Sequence, residues 1–379
     1  MKKIGFSGTL DPITNGHMWV IGEARSIADE VVVLLSENST KQPRFSAEER
    51  RAIVLESCAE RGWRNVQVQV VKSDYTARVA KRHGIDYLIR GIRTTADFDY
   101  ENLIQQTNVE VIGGAKTLFV MPPRDLGSVS SSFVKALEGP VGWNWTMKKF
   151  VPGPAYRAWI VSWLRKEWDQ LWRAADAAAL ANANHWFERL TGVSAYGGPH
   201  RHYHNLDHLV HGLAEIRAWA ANTGASRRDA DIVRAAFWFH DAQYEHGVQE
   251  LSNEEASARL WLSTGLEADA GRAEEVAQLI RVTDHFQGAS IAHPLKDAML
   301  SVDLAILGQE EEVYQAYARG IRAEYAHIAP DSYREQRGQV LQHLSAKAAS
   351  GKLFADTYFA DQYNHLALSN MAAELATLV

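Results

Sequence analysis

The chain changes its hydrophobic rhythm partway along. Up to about residue 140, short apolar and β-branched runs alternate with amphipathic stretches. The runs are a strand at about 3–7 within "KKIGF", then "EVVVLL" (30–35), "VQVQVV" (66–71), "DYLIR" (86–90) and "KTLFVM" (116–121). Helical patterns lie between them at 17–29, 46–61, 74–83 and 98–110, and Ser46 with Glu49 reads as a capping box. This alternation predicts an α/β domain built on a doubly wound parallel sheet covered on both faces. Ligands of such sheets bind beyond the carboxyl ends of the strands. After "VPGPAYRAW" the apolar positions recur at helical spacing and no strand pattern is found, which predicts an all-α second half. Two domains follow, 1–160 and 161–379, with "GPVGWNW" and "VPGPA" as the hinge region.

Composition narrows the class. The 379 residues are 46% apolar and 23% charged, ordinary for a soluble globular protein of two domains. A net charge of −6 argues against a general nucleic-acid grip. No apolar run approaches the roughly 18 residues of a membrane span, and the N-terminus lacks the apolar core of a signal peptide. A single cysteine, Cys58, permits no intramolecular disulfide and fits a reducing cytoplasm, where it is expected to be buried. Seven of the 12 Trp fall between Trp143 and Trp186, which predicts aromatic packing where the two grammars meet.

Four stretches of the first half carry anion chemistry. "SGTLDPITNGH" connects the first strand to a helix, and Gly8 and Gly16 let the backbone approach an anion. His17 stands at the helix N-terminus, where unpaired N–H groups already carry partial positive charge. Turn chemistry explains Asp-Pro and Asn-Gly but not this histidine, which predicts an anion between it and the helix. Lys41 lies just before the capped helix. Arg90 and Arg93 flank Gly91 at a strand end, suited to a polyphosphate. Finally, "DLGSVSSSFVKAL" offers Ser128, Ser130, Ser131 and Ser132 at a helix start. Neither the Rossmann glycine fingerprint nor the Walker A motif is present.

"GTLDPITNGH", "LIRGIR", "ADFDYE" and "SVSSSFVKAL" resemble the bacterial phosphopantetheine adenylyltransferase family of the nucleotidylyltransferase superfamily, in family order over residues 1 to about 160. The resemblance implies a Rossmann-like nucleotidyltransferase fold. It implies transfer of an adenylyl group from ATP, with Mg²⁺, to 4′-phosphopantetheine, giving dephospho-coenzyme A and pyrophosphate. It places His17, Lys41 and Arg93 in catalysis. Thr9, Lys41, Arg90, Tyr100 and Asn108 would serve the acceptor. Gly8, Thr9, His17, Gly91, Arg93, Asp97, Glu101 and Ser128 to Ser132 would serve ATP. It further implies a cytoplasmic homo-oligomer, commonly a hexamer. The chain departs from the family pattern at Ser7 (usually Pro), Leu10 (usually Phe), Val109 (usually Arg), Leu126 (usually Trp) and Ser128 (usually aromatic).

The second half gathers histidines. "HRHYHNLDHLVHGL" spaces His204, His208 and His211 at i, i+4 and i+7, one face of a helix, with metal-ligand spacing but without the zincin glutamate. His240 and Asp241 end an apolar helical run in "AAFWFHDAQY", and Asp303 interrupts another in "SVDLAIL". Buried polar groups of this kind need a partner, either a hydrogen bond or a metal. One His, then His-Asp, then Asp on separate helices resembles the HD superfamily of metal-dependent phosphohydrolases over roughly 165 to 370. The resemblance implies His208, His240, Asp241 and Asp303 as ligands, with His204 and His285 adding a second metal or touching the phosphate. Mixed N/O ligands suit Mn²⁺, Fe²⁺, Co²⁺ or Zn²⁺. We expect His211 at a surface or interface and His200, His202, His327 and His343 in solvent.

Together these readings describe a bifunctional enzyme acting on ATP, 4′-phosphopantetheine and an unidentified phosphate ester, with no nucleic-acid or membrane partner. Two alternatives stay open: a nucleotide- or metabolite-binding domain that regulates the hydrolase, and an adenylyltransferase with a different phosphate acceptor.

Overall fold

The computed structural model describes residues 1–37, 42–72, 74–107, 109, 114–173, 175–245, 250–284 and 290–378, except the side chain of Tyr100. The chain divides into two compact units, Met1–Gly139 with Trp143–Trp159, and Pro140–Gly142 with Ile160–Val379. The division falls between Trp159 and Ile160, inside a helix that Pro152 precedes and that carries Pro154 in its first turn, where proline is tolerated.

The first unit contains β1 (Lys3–Gly8), α1 (Asn15–Ile27), β2 (Glu30–Ser36), α2 (Ala47–Glu60), β3 (Val66–Val71), α3 (Thr76–Arg82), β4 (Tyr87–Gly91), α4 (Thr95–Gln106), β5 (Lys116–Val120), α5 (Ser131–Ala136) and α6 (Trp143–Lys148), and α7 (Gly153–Leu171) begins in it. All strand pairs are parallel, in the order β3-β2-β1-β4-β5. Phe6 pairs with Val33 on one side of β1 and with Ile89 on the other. β2 is buried from Glu30 to Leu35, as its unbroken apolar run requires in a sheet covered on both faces. Val32, Leu34, Val71, Val79, Ala80, Ile85 and Leu88 form one apolar layer. Each large side chain there contributes about 1.5–3 kcal/mol. The Ser46–Glu49 capping box starts α2, and Cys58 is buried on its inner face. The chain order reverses between β1 and β4, which opens a crevice at their carboxyl ends.

The second unit holds the rest of α7, then α8 (Ala177–Thr191), α9 (Leu206–Thr223), α10 (Arg227–Phe239), α11 (Asn253–Ser263), α12 (Ala270–Val282), α13 (Lys296–Leu304), a 3₁₀ turn (Ala305–Gly308), α14 (Glu311–Glu324), α15 (Pro330–Ala349) and α16 (Thr357–Leu378). Among the described residues it has no strand. Leu209, Val210 and Leu213 of α9 and Ile232, Val233 and Ala235 to Phe239 of α10 supply much of its core. The two helices come close at Gly212, where a Cβ would stand 2.0 Å from the Phe237 ring. No described helix is long and apolar enough to cross a membrane.

Candidate functional sites

The crevice of the first unit is a cleft of about 700 Å³. Its lining brings together Gly8, Thr9, His17, Arg90, Gly91, Arg93, Asp97, Glu101, Ser130, Ser131 and Ser132, and adds Lys135 and Asp11. Ser128 falls outside that lining. Lys41 and Asn108 lie outside the described residues, as does the Tyr100 side chain. Leu10, one of the family departures, turns the chain with φ of 50° and is a buried member of the cleft lining.

His17 has a local role that its sequence position did not reveal. Its Nδ1 accepts from the Thr14 backbone N–H at 3.0 Å, while the Thr14 hydroxyl accepts from His17 N, so the two residues cap α1 reciprocally. Nε2 is then the nitrogen that carries the ring proton. Burial, reinforced by Arg90 and Arg93, pushes the His17 pKa down to about 4. The imidazole is therefore neutral near pH 7, and the expected clash between a cation and the helix N-terminus does not arise. A neutral donor beside two guanidinium groups suits an anionic ligand.

Each described cation of the lining already faces a carboxylate. Arg90 donates from Nε to Glu101 at 2.8 Å, from Nη2 to the other Glu101 oxygen, and from Nη1 to Ser7 O and Oγ. Arg93 Nε meets Asp97 at 2.9 Å, and Lys135 Nζ meets Asp11 at 2.5 Å. The serines are not a uniform cradle either. Ser130 Oγ caps α5 by accepting from Phe133 N, and Ser131 Oγ donates to Pro12 O at 2.8 Å. Gly16 earns its place sterically, since a Cβ there would stand 3.1 Å from Val129 O.

In the second unit His208, His240, Asp241 and Asp303 converge. His208 Nε2 and His240 Nε2 are 3.1 Å apart. Asp241 Oδ2 lies 2.9 Å from His240 Nε2 and 3.5 Å from His208 Nε2. Asp303 Oδ1 lies 3.4 and 3.8 Å from the same two nitrogens. His240 Nδ1 is committed to Phe237 O at 2.8 Å, and His208 Nδ1 pairs with the Tyr203 hydroxyl at 3.2 Å. Burial pulls the His240 pKa down, but Asp241 and Asp303 outweigh it and hold it well above the usual value. Burial lifts Asp241, yet the neighbouring His240 and His204 keep it well below the usual carboxylate range. Such a cluster draws in positive charge. Two inward imidazole nitrogens whose outer nitrogens are occupied, plus two carboxylate oxygens, are a donor set that fits a divalent transition ion.

His204 does not share the α9 face. The Asn205 side chain accepts from Asp207 N and starts the helix at Leu206, leaving His204 just before it. His204 Nδ1 lies 2.7 Å from Glu324 Oε2, and its Nε2 is 4.0 Å from Asp241 Oδ2. Glu324, buried at the end of α14, also accepts from Tyr203 N and His204 N. Arg201 clamps the other side by donating to His204 O, Asp241 O and Ala242 O. Sequence reasoning missed both. The available signal was position: Glu324 continues the spacing of buried Tyr314 and Ile321 on α14. His211 is corrected from surface to core, being 2% exposed and 3.1 Å from buried Glu215. His200, His202, His327 and His343 are exposed, and His285 lies outside the described residues.

A cytidylyltransferase-like family model matches residues 6–137. The phosphopantetheine adenylyltransferase of Chromobacterium violaceum is 38% identical over 157 residues, which is 41% of this chain and 94% of that protein. Its namesake from Lacticaseibacillus paracasei is 36% identical over 158 residues, 41% of this chain and 92% of that protein. Among solved structures, Thermotoga maritima TmcAL bound with alpha-thio ATP spans 97% of this chain and 98% of its own at 11% identity, with a low TM-score of 0.33. By its match to nearly the whole length of such relatives, the chain belongs to the phosphopantetheine adenylyltransferase family.

Proposed function

We propose that the first unit transfers the adenylyl group of ATP to 4′-phosphopantetheine, releasing pyrophosphate and forming dephospho-coenzyme A. The observation that carries this reading is neutral His17, set among Arg90, Arg93 and the serine helix in one cleft at the sheet's switch point. An oxygen of the acceptor phosphate attacks the α-phosphorus as the bond to the β-phosphate oxygen breaks. The nucleophile is already an anion, so the reaction needs no protein base and catalysis is positioning plus charge stabilisation. Thr9, Lys41 and Arg90 orient the acceptor phosphate, with Tyr100 and Asn108 along its arm. Arg93, Gly91, Asp97, Glu101 and Ser130 to Ser132 serve ATP, and His17 donates from Nε2 as charge develops. Every described carboxylate of the cleft is paired, so Mg²⁺ enters as the companion of the ATP phosphates. The test is pyrophosphate release from ATP and 4′-phosphopantetheine by wild type and His17→Ala. A folded, ATP-binding wild type that releases none sinks the assigned acceptor.

The convergence in the second unit supports a second activity, that of an HD-type metal-dependent phosphohydrolase. His208, His240, Asp241 and Asp303 would hold the ion, which supplies Lewis acidity and a nucleophile at neutral pH when bound. Phe237 O and the Tyr203 hydroxyl fix the two imidazoles, and Glu324 turns His204 Nε2 toward Asp241, where it would meet a bound phosphate. Metal content of the purified chain together with a phosphate-ester panel tests this. Hydrolysis that survives Asp241→Asn would count against it.

A further inference from the structure

Two buried charges of the first unit have no role in the reaction as written. Asp11 and Arg50 are each 2% exposed. Arg50 sits on the inner face of α2, in line with Ile53 and Val54, where packing alone favours an apolar residue. Its guanidinium donates to three carbonyls on three segments: Thr9 O in the turn after β1, Ser36 O at the end of β2 at 3.2 Å, and Phe45 O at 3.1 Å. Asp11 closes the same assembly from the other side. Its carboxylate accepts from Arg44 N at 3.0 Å and Phe45 N at 3.2 Å, besides Lys135. The Arg44–Phe45 backbone is thus gripped by its N–H groups through Asp11 and by a carbonyl through Arg50. Thr9, Ser36, Gln42 and Pro43, on or next to the gripped segments, all line the cleft.

Burying a guanidinium carries a desolvation penalty that apolar contacts closing the same segments would not. What a buried ion adds is fixed direction, since its N–H bonds hold three carbonyls in one fork. Its three partners lie in the turn after β1, at the end of β2 and just before α2, and Thr9 is the residue of that turn assigned to the acceptor phosphate.

We propose that Arg50, with Asp11 gripping the same Arg44–Phe45 backbone, is a positioning residue for the acceptor side of the cleft. It holds the Thr9 and Ser36 wall at the spacing a phosphate-bearing acceptor requires. The proposal rests on the adenylyl-transfer reading for its substrate, and the test separates the two.

The experiment is steady-state pyrophosphate release by the full chain, varying ATP and 4′-phosphopantetheine separately, for wild type, Arg50→Lys and Asp11→Asn. Lysine keeps a buried cation but cannot span the three carbonyls. The acceptor KM of Arg50→Lys is expected to rise about 10- to 100-fold, while the ATP KM stays within about threefold. Asp11→Asn is expected to raise the acceptor KM in the same sense. Equal changes in both KM values overturn the proposal, because general loosening would move both. So does an Arg50→Lys chain that fails to melt cooperatively while Asp11→Asn leaves the ratio of the two KM values at wild type. Absence of pyrophosphate from wild type sinks the adenylyl reading instead. Calorimetric titration with inorganic phosphate then decides the clamp: unchanged affinity in Arg50→Lys overturns it, and affinity weakened about tenfold upholds it.

Discussion

The Nε2 atoms of His208 and His240 face each other at 3.1 Å, and two aspartate oxygens lie within 4 Å of them. His240 Nδ1 is committed to Phe237 O, so a cation that displaces the Nε2 proton would find a lone pair there facing the cluster. The expected outcome is that the chain binds Mn²⁺, Fe²⁺, Co²⁺ or Zn²⁺ there. Free ion at a thousandfold excess over Kd would stabilise the second unit by about 4 kcal/mol. Differential scanning calorimetry before and after chelation measures this. Asp241→Asn and His240→Ala should each abolish the response, and a chelation-insensitive melt that no added ion shifts would rule the site out.

His17 yields a signed pH effect. Its folded pKa is about 4, below the ordinary 6.5. Between those values the unfolded chain binds a proton that the folded chain refuses, so stability falls as pH drops from 6.5 toward 4. Above 6.5 the contribution is complete. Urea denaturation at pH 7 and pH 4.5 should show a steeper loss in wild type than in His17→Asn. The same neutrality keeps Nε2 a donor across neutral pH, and His17→Ala should lower kcat about 10²- to 10³-fold, the cost of removing one transition-state donor. An unchanged kcat in the folded variant would remove His17 from the chemistry.

The strands were legible because a buried parallel strand needs an unbroken apolar run, and "EVVVLL" can do little else. The convergence of His208, His240, Asp241 and Asp303 was legible because acids and histidines interrupt helices that are otherwise apolar. What stayed hidden was decided by which way each side chain turns and which partner it takes. Arg50 and Glu324 look like ordinary surface charges until α2 and α14 are seen to turn them inward. His204 looked helical by spacing, yet the cap at Asn205 excludes it. His17 pointed to an anion, but its Nδ1 serves the helix cap and only Nε2 is left for a ligand.

Glu324 gives a third test. Burial lifts its carboxyl, but His204 and two backbone N–H groups outweigh that and bring the pKa to about 2. A depressed carboxylate contributes stability that is complete above its unfolded pKa near 4.5 and fades as pH falls toward 2. Removing one member of a buried pair typically costs about 3–5 kcal/mol. Glu324→Ala should lose that much at pH 7, and the gap to wild type should shrink by pH 3. A gap of equal size at both pH values would mean the loss is packing rather than charge.

The separation of α9 and α10 gives the last. Gly212 lies one turn after His208, and a Cβ there would stand 2.0, 2.2 and 2.7 Å from three atoms of the Phe237 ring. That ring is fully buried, with centroid distances of 5.1 Å to His208 and 4.5 Å to His240. It cannot give way without moving the two imidazoles, one of which is tethered to its own carbonyl. Gly212→Ala should therefore cost about 1–3 kcal/mol by overpacking. It should also weaken binding of the ion about 10- to 100-fold, the range seen when the supports of metal ligands are disturbed. Phe237→Leu shortens the side chain on the facing helix, so the double variant should recover part of both losses and the two substitutions should be strongly non-additive. Melting and metal titration of the four proteins complete the cycle. If Gly212→Ala keeps wild-type metal affinity while losing stability, the close approach packs the core without setting the distance between His208 and His240.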